Sequence, residues 1–145
     1  MGKKRVPSKG LKAGAGVKKG TGSFRLPRKK LPSGILQVQA TFNNTKAILS
    51  DLEGNAVAWS SSGSLGFKGA RKSTPFAAAK VGEILGEKAK ALGLGEVRVI
   101  VKGVGAGRES CIRSFIGVCN ATIEHITDAT PMPFNGPRAP KPRRV

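Results

Sequence analysis

The 145-residue sequence is poor in acidic side chains, with 26 Lys and Arg against 8 Asp and Glu and a formal net charge of +18. It also has no apolar run near the ~20 residues that a membrane-spanning helix needs. The basic start MGKKRVPSKG is not followed by the apolar stretch of a signal peptide. We therefore expect neither membrane insertion nor export. The length suits one folded domain with tails.

Cysteine is nearly absent, with only Cys111 and Cys119. Eight residues along one predicted helix separate them by about 12 Å, whereas a disulfide needs Cα atoms within roughly 7 Å. Together with His125 they do not make the spacing of a zinc site. We expect two buried free thiols in a reducing compartment, and no metal.

Groups suited to catalysis are also scarce. The single histidine, His125, alternates with isoleucines on a predicted strand, which favours a surface or hydrogen-bonded structural residue over a catalyst. A two-metal nuclease needs converging carboxylates, and the candidates are Asp51, Glu53, Glu109 and Asp128. We expect no enzymatic activity and no cofactor.

The positive charge lies mainly at the two ends. Residues 1–34 hold eleven Lys and Arg and no acid, and residues 134–145 hold four and no acid. Both ends are rich in Gly and Pro, so we predict that they are disordered in isolation. Their expected partner is a polyanion, because each neutralised phosphate releases counterions. The alternative is a solubility or localisation signal. The predicted organisation is a basic extension (1–34), a core (35–128) and a basic Pro-rich tail (129–145).

The middle of the chain has the patterns of an α/β domain. Thr74 and Pro75 are an N-cap and a first helical residue, and Gly93 closes that helix. Period-2 alternation places Phe42 in the core, and Trp59 is also expected there. Asn43 and Asn44 are expected to turn the chain because Asn tolerates positive φ. The predicted order is βββαβαβ, with strands at 35–42, 47–50, 56–60, 96–102 and 122–128 and helices at 75–92 and 108–119. This predicts a mixed five-stranded sheet with helices against it.

Two loops have the chemistry of anion contacts. The glycines of KGVGAGR (102–108) would let backbone N–H groups approach an anion beside a helix N-terminus. The loop lacks the Lys-Ser/Thr of a Walker A motif, and it could also be a simple tight turn. The Ser- and Gly-rich segment 61–74 carries Lys68, Arg71 and Lys72, which suit phosphate and sugar oxygens, although a solvated loop remains the alternative. Phe67 could lie in the core or on the surface.

Four segments resemble a known family: QATFNNT (39–45), DLEGNAVAWSSSGSLGFKGARKSTPFAA (51–78), VKGVGAGRES (101–110) and ITDATPMPFNGPRAPKPRRV (126–145). They are similar to the bacterial form of the eleventh small-subunit ribosomal protein. The resemblance implies a three-layer α/β fold related to ribonuclease H without its catalytic carboxylates. It also implies a cytoplasmic structural role on the platform of the small subunit, near the messenger exit side of the E site.

The resemblance implies several partners. These are small-subunit ribosomal RNA, ribosomal proteins seven, eighteen and twenty-one, and, nearby, initiation factor three and messenger RNA; no homo-oligomer is expected. Carried over by motif, the RNA contacts are Asn43, Asn44, Lys68, Gly69, Arg71, Lys72, Ser73, Gly103, Gly105, Gly107, Arg108, Asn135, Gly136, Arg138, Lys141, Arg143 and Arg144.

The sequence departs from the family pattern at four positions of the glycine loop and the tail, none of which is among these contacts. Pro137 and Pro142 stand where the family tail usually has Cys and Arg, and Val104 and Ala106 stand where its glycine loop usually has Pro and Ser. The competing class of protein is a general nucleic-acid binder that uses the tails without a fixed site. Charge alone does not separate the two classes, but such a binder has no need of KGVGAGR.

Overall fold

The computed structural model describes residues 30–142, which form five strands, two α-helices and one short 3₁₀ helix. The basic segment 1–29 and residues 143–145 lie outside this range. In chain order the elements are β1 (Ser33–Ala40), β2 (Thr45–Ser50), β3 (Ala56–Ser61), the 3₁₀ helix (Gly69–Ser73), α1 (Pro75–Leu92), β4 (Glu96–Lys102), α2 (Arg108–Cys119) and β5 (Thr122–Asp128).

The strands form one mixed sheet in the order β3-β2-β1-β4-β5. β2 runs antiparallel to both β1 and β3, while β4 runs parallel to β1 and to β5. Leu36 marks the centre of the sheet, where it lies between Leu49 of β2 and Val99 of β4. The α/β class, the βββαβαβ order and the mixed five-stranded sheet are therefore confirmed.

Both helices lie on the same face of the sheet. The crossovers from β3 to β4 and from β4 to β5 run in one direction across the sheet, and right-handed crossovers then place their helices on one side. The helices also pack closely on each other: a Cβ at Gly86 would lie 2.9 Å from the carbonyl oxygen of Phe115, and one at Gly82 would overlap that of Cys111. The described residues thus form two layers, the sheet and the pair of helices, and a third layer is not present within residues 30–142. The other face of the sheet has no covering element within residues 30–142 and is called here the open face.

The predicted helix signals match the structure. The Thr74 hydroxyl accepts a hydrogen bond from the Ala77 N–H at 3.3 Å, and Pro75 is the first helical residue. α1 ends at Gly93, whose φ of 75° is left-handed. No helix within residues 30–142 is long and apolar enough to cross a membrane.

The core lies between the helices and the inward face of the sheet. Its largest fully buried side chains include Phe115, Leu36, Leu49 and Leu85. Both cysteines are free and buried in α2, as predicted. Burial raises the pKa of the Cys111 thiol to about 12, so it is not a reactive thiolate at neutral pH.

Two aromatic residues expected in the core are exposed instead. β1 ends at Ala40, and the chain then turns, so Phe42 leaves the sheet and is 77% exposed. Trp59 is 53% exposed because β3 turns the small side chains of Ala58 and Ser60 towards α1 and directs Trp59 to the open face. The prediction that Trp59 is a core residue, which rested on its hydrophobicity, is therefore wrong. The space between β3 and α1 is filled by the small residues Ala58 and Ser60.

Candidate nucleic-acid interface

The loops with predicted contact residues meet at one edge of the sheet. β1, β3, β4 and β5 all run in one direction and β2 runs in the opposite one. The carboxyl ends of four strands and the start of β2 therefore share an edge. Residues 41–45, 61–74, 102–108 and 128–142 follow or precede those strand ends, and together they are called the loop edge.

The glycine loop packs its backbone directly on the end of β1. The Gly105 N–H donates to the Ala40 carbonyl at 3.1 Å. A Cβ at Gly105 would lie 2.9 Å from the Ala40 carbonyl carbon and would overlap the Thr41 oxygen. Gly103, with φ of +91°, approaches the Ala40 carbonyl equally closely, and its N–H donates to the Thr130 hydroxyl at 3.1 Å. These glycines are therefore needed for close backbone packing, whatever they bind.

Gly107 is similarly enclosed at the N-cap of α2. A Cβ there would lie 2.6 Å from that of Ala78 in α1 and would overlap the hydroxyl of Thr45. The Gly107 cap makes no side-chain hydrogen bond. Thr45 is fully buried, and its hydroxyl oxygen has no hydrogen-bond partner within residues 30–142. The start of α2 is thus packed between α1 and β2.

Arg108 joins the glycine loop to the end of β5. Its guanidinium donates to the Gly103 carbonyl at 2.7 Å and to Asp128 Oδ2 at 2.6 Å. Asp128 also accepts hydrogen bonds from the Thr130 N–H and hydroxyl. The hydrogen bond from Arg108, followed by those from Thr130, lowers the pKa of Asp128 to about 2. The Arg108 side chain is 30% exposed. The geometry makes Arg108 first of all a residue that positions the loop.

The segment after β3 presents three cations that pair with no acid in the described part of the chain. Lys68 and Arg71 are exposed, Lys72 is half-buried, and none of the three makes an ion pair within residues 30–142. Gly69 begins the 3₁₀ helix with φ of +57°. Ser73 donates from its hydroxyl back into that helix. Phe67, whose position was left open, is half-buried and contacts Phe76 edge to face, with ring centroids 6.2 Å apart.

The turn between β1 and β2 is built differently from the prediction. The Thr41 N–H donates to the Asn44 carbonyl at 2.9 Å, and the Thr41 hydroxyl accepts from the Asn44 N–H at 3.0 Å. Neither Asn43 nor Asn44 has a positive φ, so the expected mechanism of the turn is wrong and Thr41 holds it. The Asn44 side-chain oxygen is buried without a hydrogen-bond partner in the described part of the chain.

The carboxyl-terminal tail leaves the same edge. The Ala129 N–H donates to the Val101 carbonyl at 2.9 Å, which extends the pairing of β5. Beyond it the predicted contact residues Asn135, Gly136, Arg138 and Lys141 are exposed, and Asn135 has φ of 47°. The last two predicted contacts, Arg143 and Arg144, lie outside the described residues.

The candidate catalytic carboxylates do not converge. Asp51 and Glu53 follow β2 at the edge opposite the loops, whereas Glu109 and Asp128 lie at the loop edge. Within residues 30–142 no group of three His, Cys, Asp or Glu side chains could hold a metal ion. His125 is exposed on β5, in agreement with the surface interpretation.

Sequence reasoning did not find two residues that organise this edge. Asp128 was considered only as a carboxylate, and Thr130 was not considered, yet together they hold Arg108 and the N–H of Gly103. The available signal was the short spacing from Asp, the last residue of a predicted strand, to Thr two positions later, which is typical of a side chain that hydrogen-bonds to nearby backbone.

A small α/β domain with exposed cations clustered along one edge of its sheet has the features of a nucleic-acid-binding protein. The model of the family described as Ribosomal protein S11 matches residues 34–144. The chain therefore belongs to the ribosomal protein S11 family. It is a small-subunit ribosomal protein, an RNA-binding component of the ribonucleoprotein that carries out translation, and its partners are ribosomal RNA and ribosomal proteins.

Proposed function

We propose that the loop edge binds small-subunit ribosomal RNA and that the protein is a structural, non-catalytic part of the platform, near the messenger exit side of the E site. The observation that carries this proposal is the meeting of four separate segments at one edge of the sheet. They bring Lys68, Arg71, Lys72, Arg138 and Lys141 to that edge, and none of these makes an ion pair in the described part of the chain.

The acidic residues at this edge do not cancel that charge. Asp128 is already paired with Arg108 at 2.6 Å, and Glu109 is exposed in the first turn of α2. Contacts with nucleic-acid backbones come largely from Lys, Arg, amide and hydroxyl side chains and from backbone N–H groups, and the loop edge carries Lys, Arg, Asn and Ser side chains. A surface of this composition supports phosphate binding.

Individual residues are assigned different tasks. We assign phosphate contacts to the exposed cations, and hydrogen bonds to RNA oxygens to Asn43, Ser73 and the tail residues Asn135 and Gly136. Gly103, Gly105 and Gly107 bring the loop backbone close to the end of β1 and so shape the surface. Arg108 holds that shape, with 30% of its side chain left exposed for a contact of its own.

The tails complete the proposal. We propose that residues 1–30, which precede the buried Leu31, and residues 129–145 are extensions that bind RNA in addition to the core. Their excess of positive charge supports this, since fifteen Lys and Arg and no acid fall within residues 1–34 and 134–145. The neighbours proposed for the cytoplasmic particle are ribosomal proteins seven, eighteen and twenty-one, with initiation factor three and messenger RNA nearby.

The test is sedimentation of a cell lysate through a sucrose gradient at high salt, with the full chain followed by mass spectrometry. High ionic strength releases loose electrostatic binders, so we expect co-migration with the small subunit at about one copy per particle. Release to the top of the gradient would refute the platform assignment and favour a general nucleic-acid binder.

A pair of charge-matched variants tests the loop edge itself. Lys68→Ala/Arg71→Ala removes two cations from the loop edge, and Lys90→Ala/Arg113→Ala removes two exposed cations from the helices. We expect the first variant to leave the particle at lower salt than the second. Equal retention of both variants would show that the loop edge is not the RNA contact.

A further inference from the structure

The open face of the sheet carries the only tryptophan of the chain, Trp59, in an exposed position. Trp59 is 53% exposed and the adjacent Ile48 is 37% exposed. The register places both in one row across four strands, in the order Trp59, Ile48, Gln37 and Ile100. On a folded surface, large contiguous patches of exposed apolar side chains mark interaction sites, and Trp59 and Ile48 form the apolar part of this face.

A second row, nearer to the loop edge, is polar and positively charged. Gln39 pairs with Lys46 of β2 on one side and with Lys102 of β4 on the other. Neighbouring strands are about 4.8 Å apart, so the Cα atoms of the two lysines lie about 10 Å from each other. Both lysines are exposed, and neither makes an ion pair within residues 30–142.

Between the two rows lies a depression of about 190 Å³, lined by Gln37, Val38, Gln39, Lys46, Ile48 and Lys102. This volume is below the ~300 Å³ typical of the smallest pockets for drug-sized ligands. Its surroundings combine an aromatic ring, two amide side chains and two lysines. Aromatic rings beside basic side chains are the common means of holding unpaired nucleotides, because bases stack on the ring and phosphates lie near the cations.

Charge decides between RNA and a protein segment as the occupant. The two rows contain no acidic residue. Glu124 lies farther from the loop edge and is already paired with Arg98, which donates two hydrogen bonds to it at 2.7 and 3.2 Å. An apolar protein segment laid on this face would cover Lys46 and Lys102 without counter-charges, which is costly. Lys46 is next to the loop edge at the start of β2, and Lys102, the last residue of β4, is also the first residue of the glycine loop.

We propose that the open face is a second RNA-binding surface, on which an unpaired nucleotide of ribosomal RNA stacks against Trp59 and Ile48 while Lys46 and Lys102 bind the adjoining phosphates. This proposal rests on the proposed function, because it extends the RNA contact from the loop edge onto the sheet. None of these four residues is among the RNA contacts carried over by motif.

The test uses intact small subunits that contain the full chain. Ultraviolet light joins stacked bases to aromatic rings, and mass spectrometry of the digested particle locates the attached nucleotide. We expect a nucleotide on Trp59. If no nucleotide is attached to Trp59, the proposal is overturned, and two further measurements tell why. Cross-links from Lys46 or Lys102 to another ribosomal protein would identify a protein partner on this face. Hydroxyl-radical oxidation of Trp59 equal to that of the free chain would show that the face is uncovered. Adducts at the loop edge would leave the proposed function intact in both cases. Absence of the chain from the particle would refute both proposals.

Variants provide the quantitative control. Trp59→Ala removes the stacking contact and is expected to lower the affinity of the protein for the ribosomal RNA by about 5- to 150-fold. Trp59→Phe keeps an aromatic ring and should keep most of that affinity. Lys46→Ala/Lys102→Ala should shallow the dependence of log affinity on log salt by about 1.4 if each lysine neutralises one phosphate. The matched Lys90→Ala/Arg113→Ala variant should leave that slope unchanged. Equal slopes for the two double variants, or full retention of Trp59→Ala, would refute the open-face contact.

Discussion

Replacing Gly105 with alanine separates two explanations of the glycine loop. If the glycines only admitted an anion, a methyl group would weaken RNA binding and leave the free protein as stable as before. The structure gives a different expectation, because the Gly105 Cα packs on the peptide between Ala40 and Thr41. The added Cβ would lie 2.9 Å from the Ala40 carbonyl carbon and would overlap the Thr41 oxygen. Both groups are backbone at the end of the central strand β1 or just beyond it, so the strand end or its turn would have to shift.

Overpacking of this kind costs about 1–3 kcal/mol. For a domain of this size, each kcal/mol shifts the melting temperature by roughly 4–8 °C, so Gly105→Ala should melt at least about 4 °C below the wild type. The hydrogen bond from the Gly105 N–H to Ala40, at 3.1 Å, would be strained by the same displacement. Thermal unfolding followed by far-ultraviolet circular dichroism measures this change directly.

Gly117 provides the matched control. It lies in α2, is exposed, and would have no atom within 4 Å of an added Cβ. Alanine is favoured over glycine in a helix by about 0.5–1 kcal/mol, so Gly117→Ala should raise the melting temperature. An unchanged or higher melting temperature for Gly105→Ala would refute the packing argument and restore the loop as an anion site alone.

Three further predictions concern the ends of the folded core. The pKa of Asp128 is lowered to about 2 from an ordinary 3.8, so the ionised carboxylate contributes its full stabilisation above about pH 4 and loses it as the pH falls towards 2. The free energy of unfolding of Asp128→Asn should therefore depend less on pH between those two values than that of the wild type. An equal pH dependence for the two proteins would contradict this. Arg108→Glu removes the hydrogen bond to Gly103 and places a carboxylate beside Asp128, so it should lower both the melting temperature and RNA binding. An unchanged melting temperature would show that Arg108 does not position the loop. Deletion of residues 1–29 should make RNA binding less dependent on salt while the core stays folded. A deletion extended to residue 34 should destabilise the core, because it removes Leu31, which is buried and donates its N–H to the Leu92 carbonyl at 3.0 Å. Equal melting temperatures for the two truncated proteins would contradict the second expectation.

The secondary structure could be predicted closely where local signals were strong. α1 begins at the Thr74 N-cap and ends at Gly93, and β4, α2 and β5 have their predicted bounds. Capping residues and hydrophobic periodicity involve residues only a few positions apart, so both can be recognised in a single sequence. The first hairpin was less accurate, because its turn depends on the Thr41 side chain rather than on Asn43 or Asn44.

The candidate site was predicted in part. The segments that meet at the loop edge were selected for their Gly, Lys and Arg content, and the structure brings them together. The interaction of Arg108 with Asp128 was not predicted, since the two residues are twenty positions apart and meet only because β5 lies beside β4. Local sequence patterns also did not predict which face of the sheet the two helices cover.

The sequence by itself determined the strongly basic character of the chain, the order of its elements, the helix ends and the family resemblance. These properties depend on composition and on interactions between residues close in the chain. Only the tertiary structure decided that both helices cover one face, that Ala58 rather than Trp59 lies beneath α1, and that Arg108 is held by Asp128. Those outcomes depend on which distant segments pack together and on the space left between them, and no local pattern encodes that space.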